Sequence, residues 1–178
     1  MELIKKLESE KNLSDSEFKA ILETDKYDAS LQNRADCVRR QIYSNDVYIR
    51  GLIEFTNYCK NNCLYCGIRH DNKNARRYRL TKEEILSCCD EGYRLGFRTF
   101  VLQGGEDEFY TDEILCGIVS EIRRRFPDCA ITLSAGEKPR ESYKALYDAG
   151  ANRYLLRHET AEEEHYNKLH PHSMSLKN

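Results

Sequence analysis

Four short runs of β-branched and aromatic residues, each followed by a helix with readable ends, restrict the fold more than any other feature. They are Val47-Tyr48-Ile49-Arg50-Gly51-Leu52-Ile53-Glu54-Phe55, Thr99-Phe100-Val101-Leu102, Ala130-Ile131-Thr132-Leu133 and Arg153-Tyr154-Leu155-Leu156. Thr81-Lys82-Glu83-Glu84 has capping-box spacing ahead of Ile85, Cys88, Cys89 and Leu95. Thr111 opens a helix carrying Ile114, Leu115, Ile118, Val119 and Ile122, which must stop before Pro127. Pro139 suits a first helical turn and Gly150 the C-terminal end of the same helix. Thr160-Ala161-Glu162-Glu163 reads as a further capping box. The order βαβαβαβα implies a parallel sheet with right-handed crossovers. Strands covered on both faces explain continuous apolar runs in place of strict alternation. An open doubly wound sheet and part of a (β/α)₈ barrel both fit. Either one puts its chemistry in the loops at the C-terminal ends of the strands.

The first 45 residues carry no strand signal. Ser14-Asp15-Ser16-Glu17 has capping-box spacing, with Phe18, Ile21 and Leu22 on one helical face behind it. Leu31, Ala35, Val38 and Ile42 repeat the helical period in the next segment. We therefore expect a helical segment over 1–45 and a core over 46–178. The 178 residues match one ordinary domain. Lysine and arginine (28) nearly balance aspartate and glutamate (30), so the net charge of −2 lacks the basic excess expected of a nucleic-acid binder. No apolar run approaches the roughly 20 residues of a membrane helix. The start, Met1-Glu2-Leu3-Ile4-Lys5-Lys6, lacks the apolar stretch of a signal peptide. The expectation is a cytoplasmic protein with no nucleic-acid or membrane partner.

Eight cysteines then need a reason, and a disulfide framework does not suit such a compartment. Cys59, Cys63 and Cys66 crowd into the loop after the first strand, spaced C-x₃-C-x₂-C. Three thiolates on so short a loop can converge on one centre. A [4Fe–4S] cube has four irons, so three cysteine ligands leave one iron open to bind something else. A Cys₃His zinc site using His70 is the competing assignment, and would make the chain a zinc-stabilised binding domain. Cys37, Cys88, Cys89, Cys116 and Cys129 are expected to be small buried hydrophobes or inert thiols. His158, His165, His170 and His172 are not assigned a metal: His165 and His170, five apart, do not stack on one helical face, and His170-Pro171-His172 reads as loop.

The cysteine spacing, with Tyr65 just before the third cysteine, resembles the signature of radical S-adenosylmethionine (SAM) enzymes. The resemblance implies a full or partial (β/α) TIM-type barrel. It also implies a [4Fe–4S] cluster on Cys59, Cys63 and Cys66, with its open iron chelated by S-adenosylmethionine. Reductive cleavage of that cofactor would yield methionine and a 5′-deoxyadenosyl radical. Tyr65 falls among the cofactor-binding residues. Gln103-Gly104-Gly105-Glu106-Asp107, at the end of the second strand, resembles the family's "GGE" element. Gly104, Gly105 and Glu106 would then approach the methionine ammonium, glycine permitting close backbone approach; a plain turn is the alternative. Ser134, ending the third strand, would donate to cofactor or substrate, or else cap the next helix. Glu159 and Arg157, ending the fourth strand, would contact the ribose or methionine portion and supply positive charge. A salt bridge between neighbouring loops is the alternative for both.

Within the superfamily, residues 58–69 look most like the [FeFe]-hydrogenase maturases of the HydE type. Arg77-Tyr78-Arg79-Leu80-Thr81, Tyr154-Leu155-Leu156-Arg157-His158-Glu159-Thr160 and Tyr166-Asn167-Lys168-Leu169-His170-Pro171 agree. This resemblance implies a small organometallic or amino-acid-derived substrate, partner maturases, and a reductant such as ferredoxin or flavodoxin. Methylornithine synthase is similar in the same motifs and stays open as an alternative. Biotin synthase loses support because no strand here ends in cysteine to hold its second cluster. Four βα units are half of a closed barrel. The chain, ending Ser173-Met174-Ser175-Leu176-Lys177-Asn178, is thus expected to be the N-terminal half of such an enzyme, turning over poorly by itself.

Overall fold

The computed structural model describes residues 2–176; Met1, Lys177 and Asn178, quoted above in the terminal stretches, lie outside the described residues. The chain divides between Tyr48 and Ile49 into two compact units.

The first unit is helical: α1 (Glu2–Glu10), α2 (Asp15–Leu22), one 3-10 turn (Asp25–Tyr27) and α3 (Asp28–Tyr43). Ser14 caps α2 as its spacing requires, accepting from Glu17 N–H while the Glu17 carboxylate accepts from Ser14 N–H. Glu17 also pairs with Lys6 at 2.7 Å, tying α1 to α2. Ile4, Leu13 and Ile21 are buried. The apolar face expected on α3 is not a core face: no residue of α3 is fully buried, and Ala35 and Ile42 are exposed. Leu22 and, in part, Phe18 are likewise at the surface.

The second unit alternates strand and helix: β1 (Gly51–Thr56), α4 (Lys82–Arg94), β2 (Thr99–Gly104), α5 (Asp112–Arg125), β3 (Ala130–Ser134), α6 (Arg140–Asp148), β4 (Arg153–Tyr154) and α7 (Glu163–Leu169). All neighbouring strands are parallel, in the order β1-β2-β3-β4. A doubly wound sheet reverses its strand order at a switch point. This sheet does not reverse, so its topology is that of successive βα units of a TIM-type barrel.

Register decides which side chains are covered. Ile53 pairs with Leu102 and Leu102 with Leu133, while Phe100 pairs with Ile131. By the period-two pleat these lie on one face. They join Ile85, Leu86 and Cys89 of α4, Leu115, Ile118, Val119 and Ile122 of α5, and Leu146 of α6 in one apolar cluster. Each such buried Leu, Ile or Phe contributes about 1.5–3 kcal/mol relative to exposure. The opposite face carries Leu52, Val101 and Thr132 in one row, and Glu54, Gln103 and Ser134 in the next row toward the C-terminal ends.

Several expectations need correction. Val47, Tyr48 and Ile49 are exposed and outside β1, because the strand can begin only where Gly51 finds its partner Phe100. β4 holds two residues, paired through Thr132 and Leu133, and Leu155 and Leu156 extend beyond it half exposed. The Thr160 capping box does not form. The Glu162 carboxylate caps α7 itself, accepting from Glu164 and His165 N–H, while Thr160 Oγ1 accepts from Glu162 N–H and lies 3.2 Å from His165 Nδ1. Cys37 and Cys88 are exposed, not buried; Cys89 and Cys129 are buried and Cys116 is intermediate. Leu95, placed on the apolar face of α4, is exposed because it lies past the last helical turn.

Candidate cluster and cofactor site

The cysteine loop leaves the C-terminal end of β1 and returns to the sheet edge at Arg79, which bridges back to Thr56. Its path is fixed by hydrogen bonds from every side. Lys60 N–H donates to Glu106 O at 2.9 Å, joining the loop to the end of β2, and Leu64 N–H donates to Leu169 O at 2.8 Å, joining it to the end of α7. Within it, Cys66 N–H donates to Cys63 O at 3.0 Å and His70 N–H to Asn61 O at 2.9 Å. At its mouth, Asn57 Nδ2 donates to Arg76 O and Asn57 Oδ1 accepts from Tyr78 N–H.

Cys59, Cys63 and Cys66 are all free thiols and all half-buried. Burial pushes the Cys63 thiol up, and like charge on Cys59 and Cys66 pushes the same way. The sulfurs of Cys59 and Cys66 therefore both lie within electrostatic reach of Cys63. Three cysteines on one polar loop, where negative charge on Cys59 or Cys66 opposes it on Cys63, fit a group carrying positive charge, such as the irons of a cluster. Among the described residues, no three His, Cys, Asp or Glu side chains are gathered as one metal ion would require. A single zinc needs all its ligands about 2.0–2.3 Å away, whereas a cube gives each thiolate a different iron. His70, the fourth ligand of the zinc assignment, is exposed and donates through Nδ1 to Asp71 at 2.9 Å.

Gly104 and Gly105 also serve close approaches within the protein itself. A Cβ on Gly105 would stand 2.2 Å from Tyr58 O, and one on Gly104 would stand 2.7 Å from Thr56 Cγ2. The group that presses on both glycines is the cysteine loop's own entry. Glu106 then accepts from Glu137 N–H at 3.2 Å and pairs with Lys60 at 3.2 Å. Its carboxylate also fills the space beside Gly136, where any Cβ would collide with it and φ is +80°.

Ser134 is buried at the end of β3, level with Gln103. It does not cap the next helix, which begins behind Pro139 with no side-chain cap. Arg157 Nη2 donates to Gln103 Oε1 at 3.3 Å, reaching across the strand ends. Glu159 is exposed and close enough to Tyr65 to raise that phenol's pKa. Neither Arg157 nor Glu159 forms an ion pair among the described residues, so the salt-bridge alternative is not realised. Tyr65 itself is held by His170: their rings meet edge to face at 5.5 Å, with Tyr65 OH 3.5 Å from His170 Nε2. His170 Nδ1–H donates to Tyr166 O at 2.9 Å and its ring stacks on Tyr166, which leaves Nε2 to face Tyr65. Burial is the main reason the Tyr65 phenol stays protonated far above neutrality.

Two residues behind the loop escape sequence reasoning. The Asp107 carboxylate accepts from Thr56 Oγ1 at 2.7 Å, Arg79 Nε at 2.7 Å, Arg79 Nη2 at 2.9 Å and Phe109 N–H at 3.1 Å. Arg77 donates to four loop carbonyls, those of Asn57, Ile68, Arg69 and Asn72. An arginine and an aspartate in loops carry no periodicity, and their partners lie up to 51 positions away.

A free-thiol triad at the C-terminal edge of a sequentially ordered parallel sheet defines a class. The model of the radical SAM superfamily matches residues 53–175, and the chain belongs to that superfamily. Its members are enzymes that bind a [4Fe–4S] cluster and S-adenosylmethionine. The chain is 48% identical over 145 residues to the [FeFe] hydrogenase maturase subunit HydE of Thermotoga maritima, covering 82% of this chain and 41% of that protein. It is 32% identical over 161 residues to 3-methylornithine synthase of Methanosarcina acetivorans, covering 88% and 45%. Crystal structures of methylornithine synthase (PylB) and of HydG, a maturase of the [FeFe]-hydrogenase, superpose with TM-scores of 0.81 and 0.82 at 29% and 27% identity. Each superposition covers 96% of this chain, with 51% of PylB and 39% of HydG. The chain thus spans less than half the length of the curated relatives it matches. Among the described residues no helix is long and apolar enough to cross a membrane.

Proposed function

We propose that this chain carries the cluster loop and first cofactor contacts of a radical SAM enzyme of the [FeFe]-hydrogenase maturase type. Residues 46–178 would supply the first half of a (β/α)₈ barrel behind the helical segment 1–45. The observation that carries this reading is the 48% identity to HydE over a stretch that includes three free, half-buried thiols on one pinned loop. The bound cluster and cofactor supply one-electron chemistry, with reductive cleavage to methionine and a 5′-deoxyadenosyl radical.

The chain's own residues bind and orient. Cys59, Cys63 and Cys66 hold three irons through their thiolates. Gly104, Gly105 and Glu106 set the floor on which the methionine portion rests, with the Glu106 carboxylate offered to its ammonium. Ser134, Arg157 and Glu159 form a polar rim at the ends of β3 and β4, and Tyr65 stands beside it. The substrate is a small organometallic or amino-acid-derived molecule, passed between partner maturases, with a ferredoxin or flavodoxin as electron source. Eight free thiols suit a reducing cytoplasm.

Calorimetry on anaerobically reconstituted protein tests this. S-adenosylmethionine should bind the wild type, and Glu159→Ala should weaken binding about tenfold while leaving iron content unchanged, the loss expected for one charge-assisted contact. No heat of binding to a cluster-loaded wild type would contradict the reading. Carbon-skeleton rearrangement of the methylornithine synthase kind is the second reading, favoured by the PylB superposition. Saturable binding of a free amino acid in place of an organometallic compound would select it.

A further inference from the structure

The cysteine triad sits in the middle of a segment whose two flanks meet at one side chain. Asn57 is two residues before Cys59, and Ile68 is two residues after Cys66. Arg77 Nη1 donates to the carbonyls of both, the latter at 2.9 Å. Its Nη2 donates to Arg69 O at 2.7 Å and to Asn72 O at 3.3 Å. The half-buried guanidinium lies 6.0 Å from the Tyr58 ring, whose other neighbour is Arg79 at 4.0 Å.

From this geometry we infer that Arg77 is the positioning residue of the cluster loop. Its planar fork locks the spacing between the two flanks and so presents the three thiols together before a cluster enters. The inference rests on the cluster assignment above and deepens it.

The physical case is one of entropy and of unpaired carbonyls. Each loop residue ordered costs backbone freedom, and a cluster that had to order the loop itself would lose that from its binding. Preorganisation removes the loss. Only arginine offers five donors in a rigid plane, enough to span carbonyls from two chain segments; lysine is a point charge with rotatable donors and cannot bridge them in fixed geometry. The hydrogen bonds of Arg77 among the described residues go to backbone carbonyls and not to a thiol. It acts through the backbone, and the potential and spectrum of a cluster depend on the hydrogen bonds and exposure which that backbone sets.

The test compares wild type, Arg77→Lys and Arg77→Gln of the full chain, first without cluster and then after anaerobic reconstitution. Hydrogen exchange of the cluster-free proteins should show residues 57–72 losing protection in both variants, with β2 and β3 protected as in the wild type. After reconstitution, chelator should strip iron from both variants about 10–100-fold faster, the range typical of groups that orient metal ligands. The electron paramagnetic resonance signal of the reduced cluster should shift in Arg77→Lys, which a merely structural role would not produce. Wild-type exchange, chelator lifetime and spectrum in both variants would overturn the inference. So would loss of protection throughout β2 and β3, since Arg77 would then serve the fold as a whole. A wild type that takes up no iron would instead fail the cluster reading, and this inference with it.

Discussion

At Asp107 four hydrogen bonds converge on a carboxylate whose side chain is only 3% exposed. Burial works against its charge, but the bonds from Arg79, Thr56 and Phe109 outweigh burial and hold it below the usual carboxylate range. The unfolded chain therefore binds this proton more readily than the folded one. The resulting stability is fully present above the unfolded pKa of about 3.9 and is lost as pH falls through the lower folded value. Asp107→Asn should cost about 1–3 kcal/mol at neutral pH, because Arg79 and Thr56 lose a charged partner. It should also flatten the loss of stability below about pH 4. Urea melts at pH 7 and pH 3 check both parts. The sequence placed Asp107 at the end of the Gly104-Gly105-Glu106 motif but gave it no role, because its partners come from β1 and the loop's return at Arg79. It also suggested that the glycines make room for a ligand; within the protein, Gly105 makes room for Tyr58 O and Gly104 for Thr56. Local sequence shows which residue is small, and the fold determines what approaches it.

At the level of elements, caps were legible wherever the hydroxyl and the carboxylate serve the same turn. Thr81 accepts from Glu84 N–H at 3.2 Å, and Glu84 Oε2 accepts from Thr81 N–H at 2.7 Å. Thr160 has the same spacing to Glu163, yet its helix starts later because Glu162 offers a carboxylate to two N–H groups at once. Thr81→Ala should therefore destabilise by about 0.5–2 kcal/mol, and Thr160→Ala by a smaller amount. Thermal unfolding of the two variants side by side decides it, and equal losses would refute the assignment of Glu162 as the cap. Strand ends were harder to read than strand existence. Val47, Tyr48 and Ile49 have the composition of a strand but no partner in register, and Leu155 and Leu156 continue an apolar run after pairing has ended. Composition reports the propensity of a segment, while pairing decides its length.

For the whole molecule, the alternation of strand and helix allowed two topologies, and the order β1-β2-β3-β4 selects the barrel type. No local pattern states which strand lies beside which, so that choice waits on tertiary structure. The cysteine spacing, by contrast, was readable from residues alone, since three cysteines within eight positions form a local motif. What the sequence did not disclose is how that motif is held: by Arg77 across its flanks, by Glu106 O at Lys60, and by Leu169 O at Leu64. We propose that this loop, and none of the scattered cysteines, binds a [4Fe–4S] cluster. Iron and sulfide analysis after anaerobic reconstitution decides it, on the wild type, on Cys59→Ala, Cys63→Ala and Cys66→Ala, and on Cys116→Ala. About four irons and four sulfides per chain are expected in the wild type and in Cys116→Ala, and almost none in each loop variant. A colourless wild type holding one zinc, or a Cys116→Ala protein that alone loses its iron, would contradict it.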